Sequence, residues 1–182
     1  MLMPLAALLV SIPFTLSPQS KITIDGDSNL HPWSCTARVG QSSAEIDKSS
    51  LVLVRALTLQ IPVAGIECGN GTMNGKLRDA LSADKHPFIE YRLDSAEKLA
   101  GEGVKLKAHG TLTVAGNTRK VAFPVEAALD PDGSVIALGS IPLLMSEVGV
   151  EPPSAMLGLL KTADRITLKF EIRAVPAPVP HS

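Results

Sequence analysis

Cys35 and Cys68 are the two cysteines of the 182-residue sequence, and His31, His86, His109 and His181 are its four histidines. These are the residue types that hold metals or act as nucleophiles and bases. Their spacing argues against both roles. There is no Cys-x-x-Cys and no pair of histidines at ligand spacing, so a metal centre is not expected. There is also no Gly-x-Ser-x-Gly, no His-Glu-x-x-His and no phosphate loop. The segment from Gly69 to Gly75 is glycine-rich but lacks the Lys-Ser/Thr that grips phosphates, so it reads as a turn beside Cys68. A hydrolytic triad assembled only in space is the one catalytic route left open. The sequence therefore predicts a protein that is not an enzyme and takes no cofactor. Two cysteines can still pair. A Cys35–Cys68 disulfide would close a loop of about 33 residues and contribute about 3–4 kcal/mol by chain entropy. The alternative is two free buried thiols in a reducing compartment.

Composition narrows the class of partner. The formal net charge is −1, so nothing marks a nucleic-acid surface. Aromatic residues make up 3% of the chain, too few for stacking on bases or sugars, so the interior must be aliphatic. Residues 1–16 form an apolar run broken by Pro4 and Pro13 and followed by Ser17-Pro18-Gln19-Ser20. The run resembles the hydrophobic part of a signal peptide, covering residues 1–20, and is too short and interrupted for a membrane span. It lacks an n-region Lys or Arg and an Ala-x-Ala cleavage site; an apolar N-terminal strand is the competing reading. Without a cysteine near residue 20, a lipoprotein anchor is not supported. A leader and a cysteine pair together predict a periplasmic or secreted protein with no stable membrane span once mature.

The elements that must position any site are strands. In residues 104–114, Leu106, Ala108, Leu112 and Val114 share one face, while Lys105, Lys107, His109, Thr111 and Thr113 share the other. Residues 165–174 repeat this, with Ile166, Leu168, Phe170 and Ile172 inward. A period of two is the pleat of a strand with one buried face. The same alternation puts Ile89, Tyr91 and Leu93 inward, and Val121, Phe123, Val125 and Ala127 inward on the strand after the Ala115–Thr118 turn. Further strands are predicted over 21–25, 33–39, 44–47, 51–63 and 135–144. Pro62 marks an edge or a strand end, and Asp130-Pro131-Asp132-Gly133 is a turn. Thr72–Leu81 changes to helical spacing, with Asn70 or Thr72 able to cap. Ser154 could cap a second short helix over 155–161. The tail, 175–182, is proline-rich and has no ladder to join. Many short strands and no long helix predict an all-β antiparallel sandwich or barrel in one domain, residues 21–174.

Four stretches resemble the YceI-like family of bacterial exported proteins. They are Gly26-Asp27-Ser28-Asn29-Leu30-His31-Pro32-Trp33; Met73–Leu81 running into Lys85-His86-Pro87-Phe88-Ile89-Glu90-Tyr91; Gly110-Thr111-Leu112-Thr113-Val114-Ala115-Gly116-Asn117-Thr118-Arg119-Lys120-Val121; and Met145–Pro153. They fall in the family's order, and the resemblance covers residues 21–174. The chain departs from the family at His86, where Tyr is common, at Val148, where Phe is common, and at Pro32, where an acidic residue often falls. The cysteine pair is not general to the family either. The resemblance implies an eight-stranded antiparallel lipocalin-like barrel, with one or two short helices over one mouth, that binds a polyisoprenoid or a similar amphiphilic lipid.

On this reading the lumen candidates are Ile89, Tyr91, Leu93, Leu106, Leu112, Val114, Val121, Phe123, Val125, Leu168, Phe170 and Ile172. Phe123 and Phe170, the largest inward side chains, should touch a ligand. Met156, Leu157 and Leu160 are candidates for a lid, or for plain core. His31 beside Trp33 is either a polar clamp for a head group or a structural hydrogen-bonder at the barrel mouth. The expected partner is a hydrophobic or amphiphilic small molecule; a homodimer is left open. The competing function is a structural or stress-response barrel with a filled core and no ligand.

Overall fold

The structure, a computed structural model, describes residues 12–47 and 54–178. Eleven strands and one α-helix are found there, besides three single 3-10 turns: β1 (Ile12–Leu16), β2 (Lys21–Ser28), β3 (Trp33–Arg38), β4 (Ser42–Ile46), β5 (Val54–Pro62), α1 (Gly71–Ala80), β6 (Phe88–Lys98), β7 (Val104–Val114), β8 (Asn117–Leu129), β9 (Val135–Leu144), β10 (Ser154–Ala155) and β11 (Leu160–Pro176). Antiparallel pairing runs β4-β5-β6-β7-β8-β9-β11. The ring is closed by two broken strands. β1 pairs with β4 and with the far end of β11, and β2 pairs with β3 and with the rest of β11. Counting β1–β2 and β3–β4 as one interrupted strand each gives a closed eight-stranded barrel, a size whose interior fits side chains or one small ligand.

The inward faces are those the alternation predicts. Leu106, Ala108, Leu112 and Val114 are buried on β7, Val121 and Phe123 on β8, Tyr91 on β6 and Ile172 on β11. Aromatic rings cover glycines at three places where a side chain would collide. Trp33 lies over its cross-strand partner Gly26, Phe170 over its partner Gly139, and Tyr91 over Gly110. The bare backbone lets a ring lie against the sheet, and β2 continues through Gly26 to Ser28, beyond the predicted strand end at Asp25.

Three sequence expectations are corrected. The ordered barrel does not begin at residue 21: Ile12–Leu16 is a strand, and Phe14, 1% exposed, packs with Ala44, Ile46, Val135 and Ala174. A short apolar run reads equally well as a leader or a buried strand, and here both neighbouring strands offer it a ladder. The rest of the predicted leader, residues 1–11, lies outside the described residues, as do residues 51–53 of the strand predicted over 51–63. The tail does find a ladder. Val175 and Pro176 pair with Thr15 and Phe14, and the Ala177 N–H donates to the Pro13 carbonyl at 2.9 Å; residues 179–182 are outside the description. Finally, 155–161 is not a helix. Ser154 and Ala155 pair with Lys161 and Leu160 in a tight hairpin. Its tip takes positive φ at Met156 (53°), Leu157 (55°) and Gly158 (86°), which no right-handed helix accommodates.

Candidate functional site

A cavity of about 410 Å³ occupies one end of the barrel. Its walls are aliphatic side chains from β2, β5–β7, β9 and β11, and its roof is α1. The helix starts where the sequence suggests. Asn70 is the cap, its side chain accepting from the Met73 N–H at 2.9 Å. Met73, Leu77 and Ala80, at helical spacing, then face the cavity. Two devices hold the roof. Cys35 and Cys68 form a disulfide that ties β3 to the residues just before α1. Buried Asn74 accepts from the Cys68 N–H at 2.7 Å through Oδ1 and donates to Glu67.

The polar lining residues are Ser28, His31, Asn70, Thr72, Lys76, Ser154 and Thr162, none of them buried, while the depth of the cavity is apolar, mostly aliphatic side chains with the Cys35–Cys68 disulfide among them. His31 belongs to the rim. Its backbone N–H donates to Ser28 Oγ at 3.1 Å, and its Nδ1 lies 2.8 Å from the Pro32 carbonyl, a donor contact when protonated there. Trp33 lines the wall, with its indole N–H donating to the Asp27 carbonyl at 3.1 Å. An apolar depth with a polar rim matches a molecule with a long hydrocarbon tail and a polar head.

Of the twelve lumen candidates, Ile89, Leu112, Val114 and Leu168 line the cavity. Phe123 and Phe170, expected to touch a ligand, do not line it. They form an aromatic layer with Tyr91, with ring centroids 5.7 Å apart in both the Tyr91–Phe123 and the Phe123–Phe170 pairs. On β6 and β11 this layer is the next inward residue beyond the lining ones, Ile89 and Leu168. Large rings over bare glycine backbone fill the barrel here rather than line space. Leu93, Val121, Val125 and Ile172 pack in the core outside the cavity, and Leu106 is buried but does not line it either. Tyr91 is 8% exposed, and its hydroxyl has no hydrogen-bond partner among the described residues; burial pushes its pKa well above the usual phenol value.

Of the lid candidates, Leu160 lines the cavity, whereas Met156 and Leu157 point into solvent. The alternation missed Met145, Val148 and Val150, which reach the cavity from the turn after β9. That turn has no period to read. It is anchored instead by Asp164, which accepts from the Ser146 N–H at 2.8 Å. Among the described residues no three His, Cys, Asp or Glu side chains converge on a metal-sized space.

A closed antiparallel barrel with an apolar cavity under a helix defines a lipocalin-like barrel protein. The model of the YceI-like domain matches residues 15–174, and the chain belongs to that family. Among solved structures it is similar to BcnA of Burkholderia cenocepacia, with a TM-score of 0.73 and 19% identity over 86% of this chain and 97% of that one. It is also similar to a polyisoprenoid-binding domain from Saccharophagus degradans implicated in plant cell wall breakdown, with a TM-score of 0.70 and 14% identity over 92% and 99%. The Campylobacter jejuni YCEI protein aligns with a TM-score of 0.62 and 23% identity over 79% and 85%. No curated protein sequence matches the chain.

Proposed function

We propose that the protein binds an isoprenoid or another long-chain amphiphilic lipid, tail inside the cavity and head at the rim, in an oxidising compartment outside the cytosol. The observation that carries this is the division of the cavity: apolar throughout its depth, polar only at the mouth. About fifteen buried methylenes at about 0.8 kcal/mol each would leave micromolar affinity after about 4 kcal/mol of association cost. The similarity to a polyisoprenoid-binding domain supports the lipid class, and the disulfide supports the compartment. No helix among the described residues is long and apolar enough to cross a membrane. Family membership favours binding over catalysis.

The test is transfer of a long-chain isoprenoid to delipidated protein, with Leu112→Glu and Thr113→Glu compared. Leu112 lines the cavity and Thr113 faces outward. Uptake by the parent and by Thr113→Glu, with loss in Leu112→Glu, is the expected result. No uptake by the parent, together with no lipid in extracts of protein purified from its host, would replace this reading with a barrel that works without a ligand.

A further inference from the structure

The hairpin at the cavity mouth displays apolar side chains that nothing covers. Met156, Leu157 and Leu159 are 69%, 107% and 75% exposed, and Leu30 is 68% exposed. Leu30 belongs to the same patch because its neighbour Asn29 clasps the hairpin. The Asn29 side chain donates to the Leu159 carbonyl at 2.8 Å and accepts from the Lys161 N–H at 2.9 Å. Four large aliphatic groups at one protruding end are not what a water-facing turn requires. Left-handed positions favour Gly or Asn. Here Met156 and Leu157 occupy two of them.

Two further observations say what covers this tip. First, it is continuous with the cavity. Ser154 and Ala155 on one side of the tip, and Leu160 on the other, line the mouth. Whatever meets the tip meets the entrance for an apolar ligand. Second, the tip is flanked by cations. Lys161 follows Leu160 on the hairpin, and Lys76 of α1 donates to the Ser154 carbonyl at 3.3 Å. Among the described residues neither ammonium has a carboxylate within ion-pair distance. Aliphatic side chains at a tip with ammonium groups behind them fit a bilayer surface, where hydrocarbon lies beneath anionic head groups.

We infer that Leu30 and the Met156–Leu159 tip dock the barrel mouth on a lipid bilayer, so that a ligand passes between membrane and cavity without crossing water. This deepens the proposed binding function and rests on it for its purpose, although docking can be measured separately. The full chain would be sedimented with sucrose-loaded vesicles of phosphatidylethanolamine and phosphatidylglycerol. It would be compared with the double variant Leu157→Ser/Leu159→Ser and with Leu129→Ser, which removes an exposed leucine from the β8–β9 end of the barrel. The parent and Leu129→Ser should pellet with the vesicles, and the tip variant should partition at least about tenfold less. Equal pelleting of parent and tip variant, or none by the parent, overturns the inference. So does a parent that ignores vesicles and sediments as a dimer that the tip substitutions dissociate, which would make a second copy the occupant. Isoprenoid uptake from detergent is read alongside. A parent that pellets with vesicles but takes up no isoprenoid supports docking and removes the cavity reading. A parent that takes up isoprenoid and ignores vesicles does the reverse.

Discussion

The ring of Phe170 rests on the backbone of Gly139, its cross-strand partner, so closely that a β-carbon on Gly139 would come within 2.2 Å of Cζ. The same ring meets Phe123 edge-on, at an interplanar angle of 73°. Residue 139 is therefore glycine for packing, since its φ is not in the left-handed region. Gly139→Ala should lose about 1–3 kcal/mol by overpacking. Phe170→Leu made alone leaves a void, whereas made in the Gly139→Ala background it should restore part of the loss. A double-mutant cycle by denaturant unfolding measures that coupling. Strictly additive effects would mean the ring does not rest on the glycine.

Phe14 tests where the barrel begins. It sits between β4 and β11, almost fully buried. Phe14→Ala should lose about 3–5 kcal/mol in thermal or denaturant unfolding. A protein whose fold started after residue 20 would show no change.

Tyr91 is the single tyrosine, so its titration can be followed by absorbance without interference. Burial raises its pKa because the phenolate would lose its hydration, and the Asp94 carboxylate opposes it further. The folded protein should keep the phenol neutral well past pH 10, and denaturant should return it to about 10. The linkage follows: a group whose folded pKa is raised contributes stability below its unfolded value, and that stability is lost as pH rises above about 10. Tyr91→Phe should remove this alkaline loss and leave stability at neutral pH unchanged or slightly higher, because an unpaired hydroxyl is deleted.

Asp132 works at the opposite pH extreme. It accepts from the Ser134 hydroxyl at 2.6 Å, the Ser134 N–H at 2.9 Å and the Arg173 guanidinium at 2.6 Å. These bonds, led by the Ser134 hydroxyl, hold its pKa down to about 2 from 3.8. A lowered folded pKa gives stability that is complete above the unfolded value and is lost as pH falls towards 2. Asp132→Asn should flatten the stability profile between pH 4 and 2 by lowering stability at pH 7, where the carboxylate's contribution is complete, and changing little near pH 2. An unchanged acid limb would show that Asp132 does not fasten the β8–β9 turn to Arg173.

Reduction of Cys35–Cys68 should lower stability by about 3–4 kcal/mol. Hydrogen exchange should also rise in α1, because the bond tethers the segment from which the helix starts. Exchange that increases only uniformly would separate the disulfide from the roof of the cavity.

The barrel was legible because alternation survives wherever one face is buried, as on β7 from Leu106 to Val114. The site was legible only in part. Alternation separates inside from outside but not depth, so Leu168, which lines the cavity, and Phe170, which closes the space beneath it, look the same in sequence. The glycines opposite the rings carried the missing information, since a ring beside bare backbone fills space. Met145, Val148 and Val150 lie on a turn and left no pattern. The 155–161 stretch misled because Ser154 resembles a cap, while Gly158, the residue that accepts a left-handed turn, was read as part of the helix. Residues 12–16 are ambiguous on their own, and their strand pairing with β4 and β11 leaves no mark in the local sequence.

β11 pairs with β9 along one edge and with β2 and then β1 along the other. Every route round the ring therefore passes through its seventeen residues. A nascent chain that has not yet produced Leu160–Pro176 has the other seven barrel strands and no means of closing them. The contacts made last join segments some 150 residues apart, so folding is expected to be slow and to follow synthesis rather than accompany it. Until then the chain stays open along its full length.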